Sequence, residues 1–240
     1  MATSLILTRH GLTPRSRPEQ HLGQRLDIEL SIDGRNEARL LGVRLAGLRF
    51  DRVISSPLRR AVETARLAVP DQPCETDARL LEMDYGAWEG LTYEQIEALD
   101  PDARRRWELD PAGRSIPGGE SGADVARRAR LLLRDLVDGA RPSVVGGRRL
   151  PGGKAALGDV AGHVADRRLL IVGHSSLNRV LLCVALGVPV RDFRRRFVQD
   201  QCNLTVIRFT GPAATAGAQL LLYNDVAHLR GTSGATWDQD

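Results

Sequence analysis

The sequence predicts an α/β domain: a three-layer sandwich with a mostly parallel central sheet and helices on both faces. Three observations carry this expectation. The runs Ser4–Thr8 and Arg167–His174 are apolar almost throughout, as strands buried on both faces must be, and Asp51–Ser56 gives a shorter one. Between them lie longer segments with apolar residues at helical spacing. Glycine, proline and capping residues mark the joints.

In order, Ser4–Thr8 reads as the first strand. Ser31–Leu48 reads as a helix, with Ala38, Leu41, Leu45 and Leu48 on one face. Asp51–Ser56 is a short strand. Pro57–Val69 is a helix with its proline placed in the first turn. Cys74–Thr76 is a brief extended piece. Thr92–Leu99 is a short helix, with Pro101 expected to stop it. Ser121–Val137 is a long amphipathic helix ended by Gly139. Arg167–His174 is a strand, and Ser176–Leu186 is a helix closed by Gly187 and Pro189. Asn203–Thr210 and Ala218–Asp225 are late strands. Residues 1–226 are expected to form one domain, with a glycine-rich insertion at about 141–166 and a loose tail at 227–240.

The bulk composition narrows the function. The chain has 240 residues, 42% hydrophobic and 27% charged, with a net charge of +4 and only 4% aromatic residues. Lys154 is the single lysine, so arginine carries nearly all the positive charge. Guanidinium groups suit phosphate and carboxylate. The arginines alternate with acidic residues and form no long block, which argues against a nucleic-acid partner. Cys74, Cys183 and Cys202 are odd in number and widely spaced, as reduced thiols of a cytoplasmic protein would be. The chain enters an apolar strand at once, and no apolar run reaches membrane-spanning length, so neither a secretory leader nor a membrane partner is expected.

Two of the five histidines, His10 and His174, end predicted strands. In open α/β sheets ligands bind beyond the carboxyl ends of strands. Each is followed by small residues, Gly11 and Ser175-Ser176, which let a ligand approach backbone amides. His21, His163 and His228 fall in loops and are expected to be solvated. Two histidines without a third ligand make weak grounds for a metal, and no metal or cofactor is expected. Arg9 precedes His10, and Arg59-Arg60 open the helix after Ile54-Ser55-Ser56. Two arginines and two histidines suit a dianionic phosphate. Such surroundings also hold a histidine neutral and therefore nucleophilic.

These residues carry a family resemblance. Thr8-Arg9-His10-Gly11 resembles the Arg-His-Gly signature of the histidine phosphatase superfamily, the phosphoglycerate mutase-like proteins. Leu26–Ala38, Ile54–Ala65, Leu80–Thr92, Pro117–Ser121 and Val172–Leu182 are similar to further segments of that family, in the family's order. The resemblance covers roughly residues 3–225, less the glycine-rich insertion.

The resemblance implies roles. His10 becomes the nucleophile that forms phosphohistidine. Arg9, Arg60 and His174 hold the phosphoryl oxygens. Glu82 protonates the leaving oxygen and later serves as base. Thr13, Ser16 and Gly23 line the phosphate pocket, and Tyr85 and Ser175 join the substrate-binding set. Glu120 is left between a helix-capping and a catalytic role. The implied activity is metal-independent hydrolysis of a small phosphomonoester through phosphohistidine. The alternative is mutase-type transfer, against which three positions speak. Ser16 and Ser176 stand where cofactor-dependent mutases carry asparagine, and Met83 stands where they carry arginine. A non-catalytic phospho-ligand module would have lost His10 or Glu82, and both are present. The substrate stays open among sugar phosphates, phosphoglycerate-type acids, ribazole-type nucleotides and phosphoserine. The oligomeric state, a homodimer included, also stays open.

Overall fold

The structure is a computed structural model that describes residues 2–139, 167–211 and 218–230. Its six-stranded sheet is built from β1 (Thr3–Arg9), β2 (Arg52–Ser55), β3 (Cys74–Thr76), β4 (Arg167–Gly173), β5 (Leu204–Phe209) and β6 (Gln219–Asp225). The spatial order is β3-β2-β4-β1-β5-β6. The first four strands run parallel, while β5 is antiparallel to β1 and β6 to β5. The sheet is thus mostly parallel, with an antiparallel edge.

Two apolar layers make the sandwich, and strand alternation assigns them. Leu5, Leu7, Ile54, Leu169, Ile171 and Ile207 face one layer. There they pack on α5 (Gly122–Asp138) and α6 (Ser175–Leu186), with Trp88 and Trp107. Ile6, Val53, Leu170, Val172, Leu204 and Val206 face the other layer. That face is covered by α1 (Ile32–Leu45) and α2 (Arg59–Ala68) through Ala38, Leu41, Leu45, Ala61 and Ala65. Burying each such leucine or isoleucine contributes roughly 1.5–3 kcal/mol before conformational entropy is counted.

Several boundaries differ from those expected. Helix α1 stops at Leu45, because Gly47 takes a left-handed conformation at φ +80°. Helix α2 starts at Arg59, so Pro57 lies before the helix rather than in its first turn. Pro101 does not merely stop α3 (Tyr93–Leu99); it begins α4 (Pro101–Leu109). Asp100 serves both helices. Its N–H closes α3 onto the Ile96 carbonyl, and its side chain accepts from Ala103 N as the cap of α4. A four-residue helix, α7 (Phe193–Arg196), precedes β5.

The segment expected as a glycine-rich insertion lies outside the described residues, as does 231–240. Residues 227–229, read in sequence as the start of a loose tail, form a 3₁₀ turn, and Leu229 is buried in the layer with α1.

Candidate active site

The register places the two strand-end histidines. Strands β1 and β4 are neighbours, with Arg9 opposite Gly173, and His10 N donates to the Gly173 carbonyl at 3.1 Å. His10 and His174 therefore leave the sheet at one level. Their rings meet edge to face, with centroids 5.2 Å apart.

Beyond β1 the backbone loses its ladder partners, so other groups must satisfy it. Arg9 N donates to Asn203 Oδ1, Gly11 N to Thr64 Oγ1 and Leu12 N to a Glu37 carboxylate oxygen. Gly11 is required by close approach, since a Cβ there would lie 2.5 Å from the Gly34 carbonyl oxygen. This turn is consequently rigid.

His10 is nearly sealed from solvent. Its Nδ1 lies 2.8 Å from the Gly11 carbonyl. A carbonyl only accepts, so that contact places the ring proton on Nδ1 and leaves the Nε2 lone pair free. Burial, then Arg60 and Arg9, hold the His10 pKa well below the ordinary histidine value. His174 is fully buried, and burial, Arg60 and His10 hold it low as well. Neither ring nitrogen of His174 has a hydrogen-bond partner among the described residues.

Arg60, at the start of α2, is also fully buried. It donates to the carbonyls of Leu22, Gly23 and Leu26, which tie the overlying loop to the site. Gly23 serves through that carbonyl and through lack of bulk. A Cβ there would lie 2.5 Å from a Glu89 carboxylate oxygen and 2.8 Å from the Met83 carbonyl. Arg9 donates to the Gln199 carbonyl and bridges to Glu19 at 3.1 Å.

Glu82 sits at the N-terminus of α6. One carboxylate oxygen accepts from Met83 N and Leu177 N, and the other accepts from Ser176 N. This arrangement fixes the carboxylate at the head of the helix that follows His174. Ser175 heads the same helix, and Tyr85 Oη is 2.7 Å from Ser176 Oγ.

An open cleft lies over these groups. Of the residues expected at the site, Arg9, His10, Ser16, Glu82, Tyr85 and Ser175 line it. Arg60 and His174 are not on its walls and lie buried behind them, close enough to act electrostatically on His10 and on each other. Thr13 is one step removed, as its backbone N–H and hydroxyl bond the Ser16 hydroxyl at 3.0 Å. Among the described residues no three His, Cys, Asp or Glu side chains gather as a metal ligand set. The groups around His10 are guanidiniums and N–H donors, which suit an anion.

Other residues were not read as part of the site from sequence. His21 is buried rather than solvated and packs edge-on to Tyr85 and Tyr93. Burial, with Arg194 and Arg104 adding to it, lowers its pKa to about 4. His228 is also partly buried, within 3.0 Å of the Cys202 carbonyl. Arg179 and Arg194 line the cleft, and nothing in their spacing sets them apart from surface arginines. Glu120 caps no helix, because Ser121 and Asp124 form the capping box of α5. Instead Glu120 accepts from Asp84 N and pairs with Arg128. Arg128 in turn donates to the carbonyls of Arg79, Leu81 and Glu82. The pair buttresses the segment that presents Glu82.

With this geometry in place, comparison with known proteins gives the class. The chain belongs to the histidine phosphatase superfamily (branch 1), whose sequence pattern matches residues 5–145 and 153–225. Among its relatives is a glucosyl-3-phosphoglycerate phosphatase of Mycolicibacterium vanbaalenii, 35% identical over 192 residues, which are 79% of this chain and 76% of the relative. Phosphoserine phosphatase 1 of Hydrogenobacter thermophilus is 28% identical over 205 residues, 85% of each chain. The solved structure of a mycobacterial glucosyl-3-phosphoglycerate phosphatase superposes with a TM-score of 0.76 at 30% identity, covering 93% of this chain and 99% of that one. The resemblance and the fold class expected from sequence are both borne out.

Proposed function

We propose that the protein is a metal-independent phosphomonoester hydrolase that works through a phosphohistidine at His10, on a small phosphorylated metabolite. The observation that carries this reading is the state of His10. It is neutral, its ring proton is held by the Gly11 carbonyl, and its free nitrogen lies at the edge of a cationic cleft.

In the first step the His10 Nε2 lone pair attacks phosphorus in line, and the P–O bond to the leaving alcohol breaks. Glu82 gives the leaving oxygen its proton. Arg9, Arg60 and His174 balance the charge on the phosphoryl oxygens, and the N–H of Ser175 at the head of α6 adds a further donor. In the second step water attacks the phosphorus and the P–N bond breaks. The water proton returns to Glu82, and inorganic phosphate leaves.

Hydrolysis is favoured over mutase-type transfer by position 83. The Met83 side chain is fully buried in the layer with Trp88 and Trp107, so that position puts no cation into the cleft. The three free cysteines support a cytoplasmic setting. No helix among the described residues is long and apolar enough to cross a membrane.

The test is hydrolysis of p-nitrophenyl phosphate in EDTA, with rapid acid-free quenching to trap the phosphoenzyme. Wild type is expected to turn over and to carry phosphate on His10. His10→Ala is expected to do neither. Full turnover by His10→Ala refutes the mechanism. Exchange of phosphate between 2- and 3-phosphoglycerate, primed by the bisphosphate and faster than hydrolysis, replaces it with the mutase.

A further inference from the structure

The cleft holds more positive charge than one phosphoryl group requires. Its two lining carboxylates are already engaged, Glu19 with Arg9 and Glu82 with three backbone N–H groups. Arg15 has Gln20 as its partner. Arg179 has nothing comparable. It lies on α6, five residues beyond His174, and its side chain forms no hydrogen bond or ion pair among the described residues. Its Nε is shut off from solvent without a partner. Arg194, on α7, donates to Tyr93 Oη at 2.7 Å. It stacks over the rings of Tyr93 and Trp107, 5.7 and 4.9 Å from their centroids, and has no carboxylate partner among the described residues.

These two guanidiniums share the cleft with that of Arg9. Burial first, then Arg9 and Arg194, push the Arg179 pKa below the ordinary arginine value. A partly buried, unpaired cation beside two others is unfavourable until an anion arrives. The phosphoryl group at His10 is already served by Arg9, Arg60 and His174. Stacking holds Arg194 in place before any ligand binds, and a planar guanidinium so held is suited to gripping an oxyanion through two bonds.

We propose that Arg179 and Arg194 form a second anion subsite, and that the natural substrate is a phosphomonoester whose leaving alcohol carries a further oxyanion group, a carboxylate or a second phosphoryl. The proposal rests on reading His10 as the phosphoryl acceptor. His21 and Tyr93 line the same cleft.

The test compares matched phosphomonoesters with and without the extra anion. The carboxylate arm is 3-phosphoglycerate against glycerol 3-phosphate, and the phosphoryl arm is fructose 1,6-bisphosphate against fructose 1-phosphate. Losing one charge-assisted contact costs about tenfold to a hundredfold. Wild-type kcat/KM is therefore expected to favour the more anionic member of at least one pair by roughly thirtyfold or more. Arg179→Gln and Arg194→Gln are each expected to shrink that ratio at least tenfold, chiefly through KM, and Arg179→Lys to restore part of it. The same ratio is read as a calorimetric affinity in His10→Ala, where no turnover is needed. Ratios near one in both arms for the wild type overturn the proposal, as do ratios unchanged in the variants. Failure of the wild type to hydrolyse any phosphomonoester counts against the mechanism at His10, while the affinities still decide the subsite.

Discussion

Replacing Arg128 by methionine tests whether the support beneath Glu82 is as specific as it looks. The change keeps most of the side-chain volume and removes every N–H. Three backbone carbonyls, those of Arg79, Leu81 and Glu82, lose a donor. At roughly 1 kcal/mol for each net hydrogen bond, that is about 3 kcal/mol. Glu120 loses its ion pair but keeps Gln24 and Asp84 N as donors, so its charge is not orphaned and the further cost is about 1 kcal/mol. The Arg128 and Glu120 side chains are 15% and 23% exposed, so water offsets part of the loss, and about 3–4 kcal/mol in all is an upper figure. For a domain of this size that lowers Tm by roughly 6–16 °C. Activity at 25 °C is expected to fall further than stability alone explains, because a displacement of about 1 Å at Glu82 can cost on the order of 10²-fold. Calorimetric Tm and turnover of an alkyl phosphate, whose leaving oxygen needs a proton, read the two effects separately. In a double-mutant cycle with Glu120→Gln, the coupling is expected at about 1 kcal/mol. A Tm loss under about 2 °C, with turnover within twofold of wild type, would show that the buttress is incidental.

Three further outcomes are expected. Four histidines, His10, His174, His21 and His228, have depressed pKa values in the folded protein, burial being the largest cause each time. Below about pH 6.5 the unfolded chain binds protons that the fold refuses, so stability is full above that pH and falls as pH drops, by up to about 1.4 kcal/mol per pH unit for each group. His21→Gln should flatten that fall between about pH 6.5 and 4, as thermal melts over that range would show; an unchanged slope rejects its burial as a cause. Arg9 helps hold His10 neutral, so Arg9→Gln should move the acid limb of the kcat/KM profile upward as well as lowering its plateau. Glu82→Gln should slow alkyl phosphates by about 10²–10⁴-fold and p-nitrophenyl phosphate far less, since a good leaving group needs little protonation; equal losses on both would count against the proton-donor role.

The sheet was readable because buried strands must be apolar almost continuously, and residues 4–8 and 167–174 leave no other reading. The doubled helix around Asp100 was not, because proline both ends and begins helices and only the cap geometry decides between them. His10, Glu82 and their companions were legible through ordered segments of the family pattern. Glu120, His21 and Arg179 were not, for a shared reason. Their meaning depends on groups distant in sequence: Asp84 and Gln24 for Glu120, the tyrosines for His21, and, for Arg179, the want of a carboxylate within ion-pair distance among the described residues. A side chain's local spacing carries none of that.

The strand order also governs how the molecule is made. Strand β1 is synthesised before both of its neighbours, which are β4 on one side and β5 on the other. Thr3 must wait for Arg167 and Phe209 before either edge of its strand is paired. Throughout synthesis an apolar strand with two open edges is therefore exposed, the condition that invites pairing with another chain. The strand that leads into His10 is one such segment. Yield of active enzyme should depend on what shields residues 3–9 until β4 and β5 arrive.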